Sequence, residues 1–106
     1  MEHKMLAEFN MSPSGLPGSL APYVAEVIEI VKYSGLSYQL NAMGTIIEGE
    51  TDEVFDLIKK CEKHLASKAS RVYTVIKIDD KVGKTGQLKQ KIDSVMKRLD
   101  GDINTA

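Results

Sequence analysis

The sequence predicts an α+β domain of the ferredoxin-like kind: a βαββαβ sandwich whose four-stranded antiparallel sheet carries its helices on one face, with a C-terminal helix added. Three observations lead there. Stretches of two-residue hydrophobic period alternate with stretches of helical period, in the order strand, helix, strand, strand, helix, strand, helix. The chain of 106 residues is long enough for one core and too short for two. Its 42% hydrophobic and 27% charged residues match a folded globular chain, which excludes a disordered tail, a collagen-like repeat and a disulfide scaffold. One domain is expected over residues 1–106, with a core of about 4–99 and a frayed tail at 100–106.

Residues 4–11 alternate, with Met5, Ala7, Phe9 and Met11 to one side and Leu6, Glu8 and Asn10 to the other, as a strand does. Residues 12–18 hold two prolines and two glycines and read as a loop. Ser19 is the expected N-cap of the first helix, with Pro22 tolerated in the first turn. Leu20, Tyr23, Val24, Val27, Ile28 and Val31 recur at helical spacing, and Gly35 ends the helix where a positive φ is usual. Residues 38–42 form a second strand, Met43-Gly44 a two-residue turn, and residues 45–50 a third strand. Thr51 caps a second helix, with Asp52 and Glu53 at its positive end and Val54, Leu57, Ile58, Cys61 and Leu65 along its buried stripe. Residues 71–79 are the fourth and most apolar strand. After a polar loop at 81–87, a third helix carries Leu88, Ile92, Val95, Met96 and Leu99.

The expected strand order is 4-1-3-2 with both main helices on one face. They bury Met5, Ala7 and Phe9 with Leu40 and Ile47, and the open face carries Leu6, Glu8, Asn10, Gln39, Asn41, Ile46 and Glu48. The fourth strand is an edge, free of proline, and Val72, Tyr73, Val75, Ile76 and Ile78 make both of its faces apolar. Such edges are normally paired or covered. Self-association through the sheet is therefore expected, most simply as a two-fold dimer. A monomer whose third helix lies over the edge is the alternative.

The net charge of −1 conceals a split. Residues 1–58 hold two basic and nine acidic residues, and residues 59–98 hold twelve basic and four acidic. The lysines stand singly and gather towards a helix end, where cations suit the dipole. No arginine run or aromatic interleaving supports a nucleic-acid partner. No stretch nears the roughly 18 apolar residues of a membrane span. Residues 1–5 lack the apolar core of a signal peptide, and the one cysteine, Cys61, has no internal partner. A cytoplasmic protein with no membrane or nucleic-acid partner is expected.

Catalytic groups are scarce. His3 sits at the terminus, His64 near a helix end, and Cys61 on an apolar stripe that makes it core filler. No Cys/His or His/carboxylate spacing reads as a metal site. Ser12-Pro13-Ser14-Gly15 lacks the nucleophile-elbow pattern. Gly83-Lys84-Thr85-Gly86 echoes a phosphate cradle but lacks its first glycine and follows an edge strand. No catalytic residue, metal or cofactor is expected. What remains is a binding surface. Glu8, Asn10, Gln39, Asn41 and Glu48 put acceptors and amides on one sheet face, and Ser12, Tyr38, Met43 and Thr45 stand at the rim formed by the first loop and the hairpin. A small cationic ligand with ring nitrogens and an amino group suits this set. Carboxylates oppose its charge, hydroxyls and amides read its edges, and Met and Tyr supply a soft wall. A wet subunit interface would use the same groups.

Four segments have a familiar look: Phe9-Asn10-Met11-Ser12-Pro13, Ser34-Gly35-Leu36-Ser37-Tyr38, Met43-Gly44-Thr45-Ile46-Ile47-Glu48-Gly49-Glu50, and residues 71–80 (Arg-Val-Tyr-Thr-Val-Ile-Lys-Ile-Asp-Asp). Over about residues 4–99 the chain resembles the small thiamine-binding protein family, and the Met-Gly-Thr…Glu-Gly-Glu block is the most specific part. The resemblance implies a ferredoxin-like fold assembled as dimers or tetramers. It implies a non-enzymatic role, the binding of thiamine or its hydroxymethylpyrimidine half in vitamin salvage, transport or carriage. By position it implies Thr45 and Ser12 as the foremost ligand contacts, followed by Asn10, Tyr38, Met43 and Glu48. Two departures stand out. Ala42 occupies a position that is commonly proline in the family, which loosens the turn, and Lys81 stands where arginine is common, without its bidentate fork.

Two other functions remain compatible with the residues. One is an oligomeric protein-interaction or regulatory module with no small-molecule ligand. The other is a small enzyme on a dimeric sheet, for which Glu8 or Glu48 would supply the acid or base.

Overall fold

Seven elements follow the expected order: β1 (Met5–Ser14), α1 (Ala21–Lys32), β2 (Ser37–Asn41), β3 (Gly44–Gly49), α2 (Thr51–Ala66), β4 (Arg71–Asp79) and α3 (Gln87–Met96). The structure is a computed structural model, and it describes residues 3–83, 85–99, 101 and 103–105. Asp100, Asp102 and Ala106 of the expected tail, Lys84 of the glycine-flanked loop, and Met1 and Glu2 lie outside the described residues.

The strands form one antiparallel sheet of order β2-β3-β1-β4, which is the expected order read from its other edge. Residues directly opposed across a ladder share a face. Ala7 opposes Ile47 and Phe9 opposes Thr45, while Tyr38 opposes Ile47 and Leu40 opposes Thr45. These side chains therefore look towards α1 and α2. There Met5, Ala7, Phe9, Met11 and Ile47 are buried with Val27 and Val31 of α1 and with Val54, Leu57, Ile58, Cys61 and Leu65 of α2. Leu40, expected in this core, is 51% exposed. It sits on an edge strand, with a cavity beside it where a helix would have covered it.

Element boundaries differ from the expectation in five places, one of them α3, which takes in Gln87 of the expected loop and ends at Met96, so that Leu99 lies beyond it. β1 runs on to Ser14, through Pro13, where a loop was expected from residue 12. Pairing with β3 stops at Phe9, so residues beyond it bond to β4 alone, and a missing N–H costs nothing on the free side. The chain then turns at Gly15, whose φ is +79° and where an added Cβ would lie 2.2 Å from Ser70 Oγ. The N-cap of α1 is Leu20 and not Ser19; its carbonyl accepts the N–H groups of both Tyr23 and Val24 at 3.0 Å, and Pro22 falls among the unbonded donors of the first turn. The N-cap of α2 is Glu50 and not Thr51, because the Glu53 carboxylate reaches back to accept the Glu50 N–H at 3.1 Å. The two turn residues of the hairpin are Ala42 and Met43, one position earlier than expected, since Asn41 pairs with Gly44.

The other sheet face is partly roofed by α3. Its first N–H, from Gln87, donates to Glu48 Oε2 at 2.7 Å, and Lys91 Nζ meets Asp79 Oδ2 at 2.7 Å. The loop before α3 is tied down by His3: the Gly83 N–H donates to Nδ1 at 3.0 Å, and Nε2 pairs with Asp80. Strand β4 packs Val72 against the core on the helix face and is bare from Val75 onward. Tyr73 and Val75 on the open face and Ile76 and Ile78 on the helix face are all exposed.

Candidate functional site

Helix layer and sheet part company at the hairpin end of the molecule. The gap is a cavity of about 120 Å³. Phe9, Met11 and Pro13 of β1, Leu40 of β2, Val24, Val27 and Ile28 of α1, and Leu65 at the end of α2 make its apolar wall. Asn41, Ala42 and Gly44 of the hairpin close one side. Thr45 is its buried polar side chain, only 5% exposed and placed there because it opposes both Phe9 and Leu40. Among the described residues no ionisable side chain lines it. Such a space takes a flat ring against hydrocarbon and offers it the Thr45 hydroxyl, the backbone of the turn and, at its edge, Asn10 and Asn41.

Three of the expected site residues meet at the cavity's outer edge. Asn10 Nδ2 donates to the Met43 carbonyl at 3.0 Å, and the Ser12 hydroxyl donates to Asn10 Oδ1 at 3.3 Å. By register Asn10 and Ser12 fall on the open face and Thr45 on the helix face, but Asn10 stands where β1 has lost β3 and also lines the cavity, whereas Ser12 does not. Met43 is 86% exposed at the turn tip. Tyr38 shares the face of Thr45 but opposes Ile47, one step further from the cavity, and does not line it. Glu48 lies on the open face, 5% exposed, with its carboxylate engaged by the start of α3.

Of the polar groups expected to make a binding surface on the open sheet face, only Glu8 borders a hollow there, and that hollow is shallow. Leu6, Glu8, Ile46, Lys77 and Lys91 line a space of about 240 Å³ beneath α3. Its charges are already paired, Glu8 with Lys77 at 3.3 Å and Asp79 with Lys91. The hairpin cavity is the more enclosed of the two and is the candidate site. Sequence reasoning assigned Val24, Leu40 and Pro13 to core or loop. The one signal that could have flagged them is geometric: Leu40 follows the alternation to the helix face of an edge strand, opposite the first turn of a helix.

Ionisable groups elsewhere serve the scaffold. Glu26 of α1 accepts from His64 Nε2 and Lys68 Nζ, each at 2.6 Å, joining α1 to the end of α2. The Lys68 ammonium first, and His64 second, hold the Glu26 carboxyl below the usual carboxylate range. Burial pushes the Cys61 thiol up to about 11 against the opposing charge of Lys60. Among the described residues no group of three His, Cys, Asp or Glu could hold a metal ion, and no helix is long and apolar enough to cross a membrane.

The profile of a family described as thiamine-binding protein matches residues 7–96. The chain is 32% identical over 92 residues to the UPF0045 protein MJ1052 of Methanocaldococcus jannaschii, covering 87% of this chain and 92% of that protein. It is 36% identical over 96 residues to the UPF0045 protein Mb1933 of Mycobacterium bovis, covering 90% and 94%. The crystal structure of the Methanocaldococcus protein superposes with a TM-score of 0.80 over 88% of this chain and 96% of its own. That of TM0486 from Thermotoga maritima, a protein proposed to serve thiamine biosynthesis or salvage, superposes with a TM-score of 0.75 at 26% identity over 87% and 98%.

Proposed function

The chain belongs to the thiamine-binding protein family, and from that premise we propose that it binds thiamine through the hydroxymethylpyrimidine half, without transforming it, in the cavity under the β2–β3 hairpin. The observation that carries this reading is the cavity itself: about 120 Å³, apolar walls, and a buried Thr45. A space of that order takes one aromatic ring. The ring nitrogens and amino group would meet the Thr45 hydroxyl and the backbone of the turn. The cationic thiazolium would remain at the mouth, beside the soft side chain of Met43, with Ser12 and Tyr38 further out. Asn10 and Glu48 would act on the walls, through the turn and through α3. The lack of any acid or base in the lining, among the described residues, supports holding over turnover. A role in vitamin salvage or carriage in the cytoplasm follows, and a free buried Cys61 suits a reducing compartment.

A second component concerns assembly. The exposed apolar side chains on both faces of the β4 edge favour dimers or tetramers built through the sheet. Taken alone, this feature would make the chain an interaction module with no small ligand. Isothermal titration separates the two. Heat is expected with thiamine and with the free pyrimidine alike, and silence with both at millimolar ligand would remove the vitamin from the account.

A further inference from the structure

The β2–β3 turn is not of the kind whose twist matches the strands it joins. Asn41 pairs with Gly44 across two residues, Ala42 and Met43. Two-residue hairpins are ordinarily closed by primed turns with positive φ, whose twist matches that of the strands. No non-glycine residue among those described has a positive φ, so Ala42 and Met43 take the unprimed form. Asn41 at the first position and Gly44 at the fourth suit a type I turn. An unprimed turn splays the strands it joins. Its direction has to be set from outside the hairpin.

Asn10 is placed to set it. β1 loses β3 as a partner after Phe9, and Asn10 is the next residue. Its Nδ2 donates to the Met43 carbonyl at 3.0 Å. A carbonyl only accepts, so the nitrogen end of the amide must face the turn, and the oxygen end is left to accept the Ser12 hydroxyl at 3.3 Å. The held turn walls the candidate cavity against β1 and α1. We infer that Asn10, which borders the cavity with both ends of its carboxamide already engaged, is a positioning residue of the binding site: it latches the turn of Ala42 and Met43 to β1 and fixes that wall, and it acts on the ligand through the turn. The inference deepens the thiamine proposal, and its affinity readout rests on that proposal.

Four full-length chains test it: the parent, Asn10→Ala, Asn10→Asp, and Asn10→Ala combined with Ala42→Pro. Both positions are exposed, so the fold is retained. Each chain is titrated with thiamine, and backbone amide exchange is followed at Gly44 and Thr45. Asn10→Ala is expected to weaken thiamine roughly fivefold, the loss of one net hydrogen bond, and to speed exchange at the turn. Asn10→Asp keeps the shape but puts an acceptor against the Met43 carbonyl, and weakens binding as well. Proline at position 42 sets φ at the first central residue of the turn and restores both affinity and protection. Tighter binding by Asn10→Asp would mean a carboxylate meeting the cation directly and would overturn the positioning role. So would unchanged turn exchange in Asn10→Ala, or weakened binding that proline does not relieve. Should the parent take up no thiamine, that proposal fails on its own. Turn exchange then decides the latch: faster exchange relieved by proline sustains it, and unchanged exchange overturns it.

Discussion

Thr45 is the residue on which the site turns. Its flanking pairs, Phe9 and Leu40, hold it over the cavity at 5% exposure. Thr45→Val keeps the branch and removes the hydroxyl, and is expected to weaken thiamine by about 1–2 kcal/mol with little change in melting temperature, as titration and a thermal melt would read. Glu26 links the two helices of the helix layer at the surface, through His64 and Lys68. Because its carboxyl is held low in the folded chain, its contribution to stability is present above the ordinary carboxylate range and is lost as pH falls through the lowered value. Denaturation midpoints measured down through the acid range are expected to fall, and Glu26→Gln to flatten that slope. The motif made Thr45 conspicuous in the sequence. Nothing made Glu26 so, because its partners His64 and Lys68 stand 38 and 42 positions away.

At the scale of elements, hydrophobic period was enough to find all seven, and β4 has the boundaries expected of it. The errors lie at ends. The α2 boundary depends on how far the Glu53 side chain reaches, and the hairpin turn on which of two registers pairs Asn41 with Gly44. Pro13 looked like a loop residue because the local rule against proline in strands cannot see that one side of β1 has no neighbour there. The buried stripe of α2 was legible throughout. Its Cys61 is fully enclosed, with a thiol pushed up to about 11. Native chain is therefore expected to resist iodoacetamide at mildly alkaline pH and to be alkylated at once after unfolding, as mass spectrometry would show.

For the molecule as a whole, α3 covers part of the open sheet face while the β4 edge exposes apolar side chains on both faces. α3 roofs one part, held by Glu48, and buries none of its own residues fully. β4 leaves Tyr73, Val75, Ile76 and Ile78 in solvent. Light scattering at micromolar concentration is expected to give a mass above that of the 11.7 kDa chain, and Val75→Lys with Ile78→Lys to bring it down to one chain. A parent that scatters as a single chain would end the assembly proposal. The amino-acid order alone determined the elements, the face that is buried and the family motif, each written in residues a few positions apart, and the sheet order followed from the succession of elements. Only the tertiary structure decided that the enclosed hollow lies on the helix side of the hairpin, that Glu48 holds α3, and that Asn10 bonds the turn. The last two join residues 39 and 33 positions apart, a distance at which side-chain reach and ladder register act and no local period carries information.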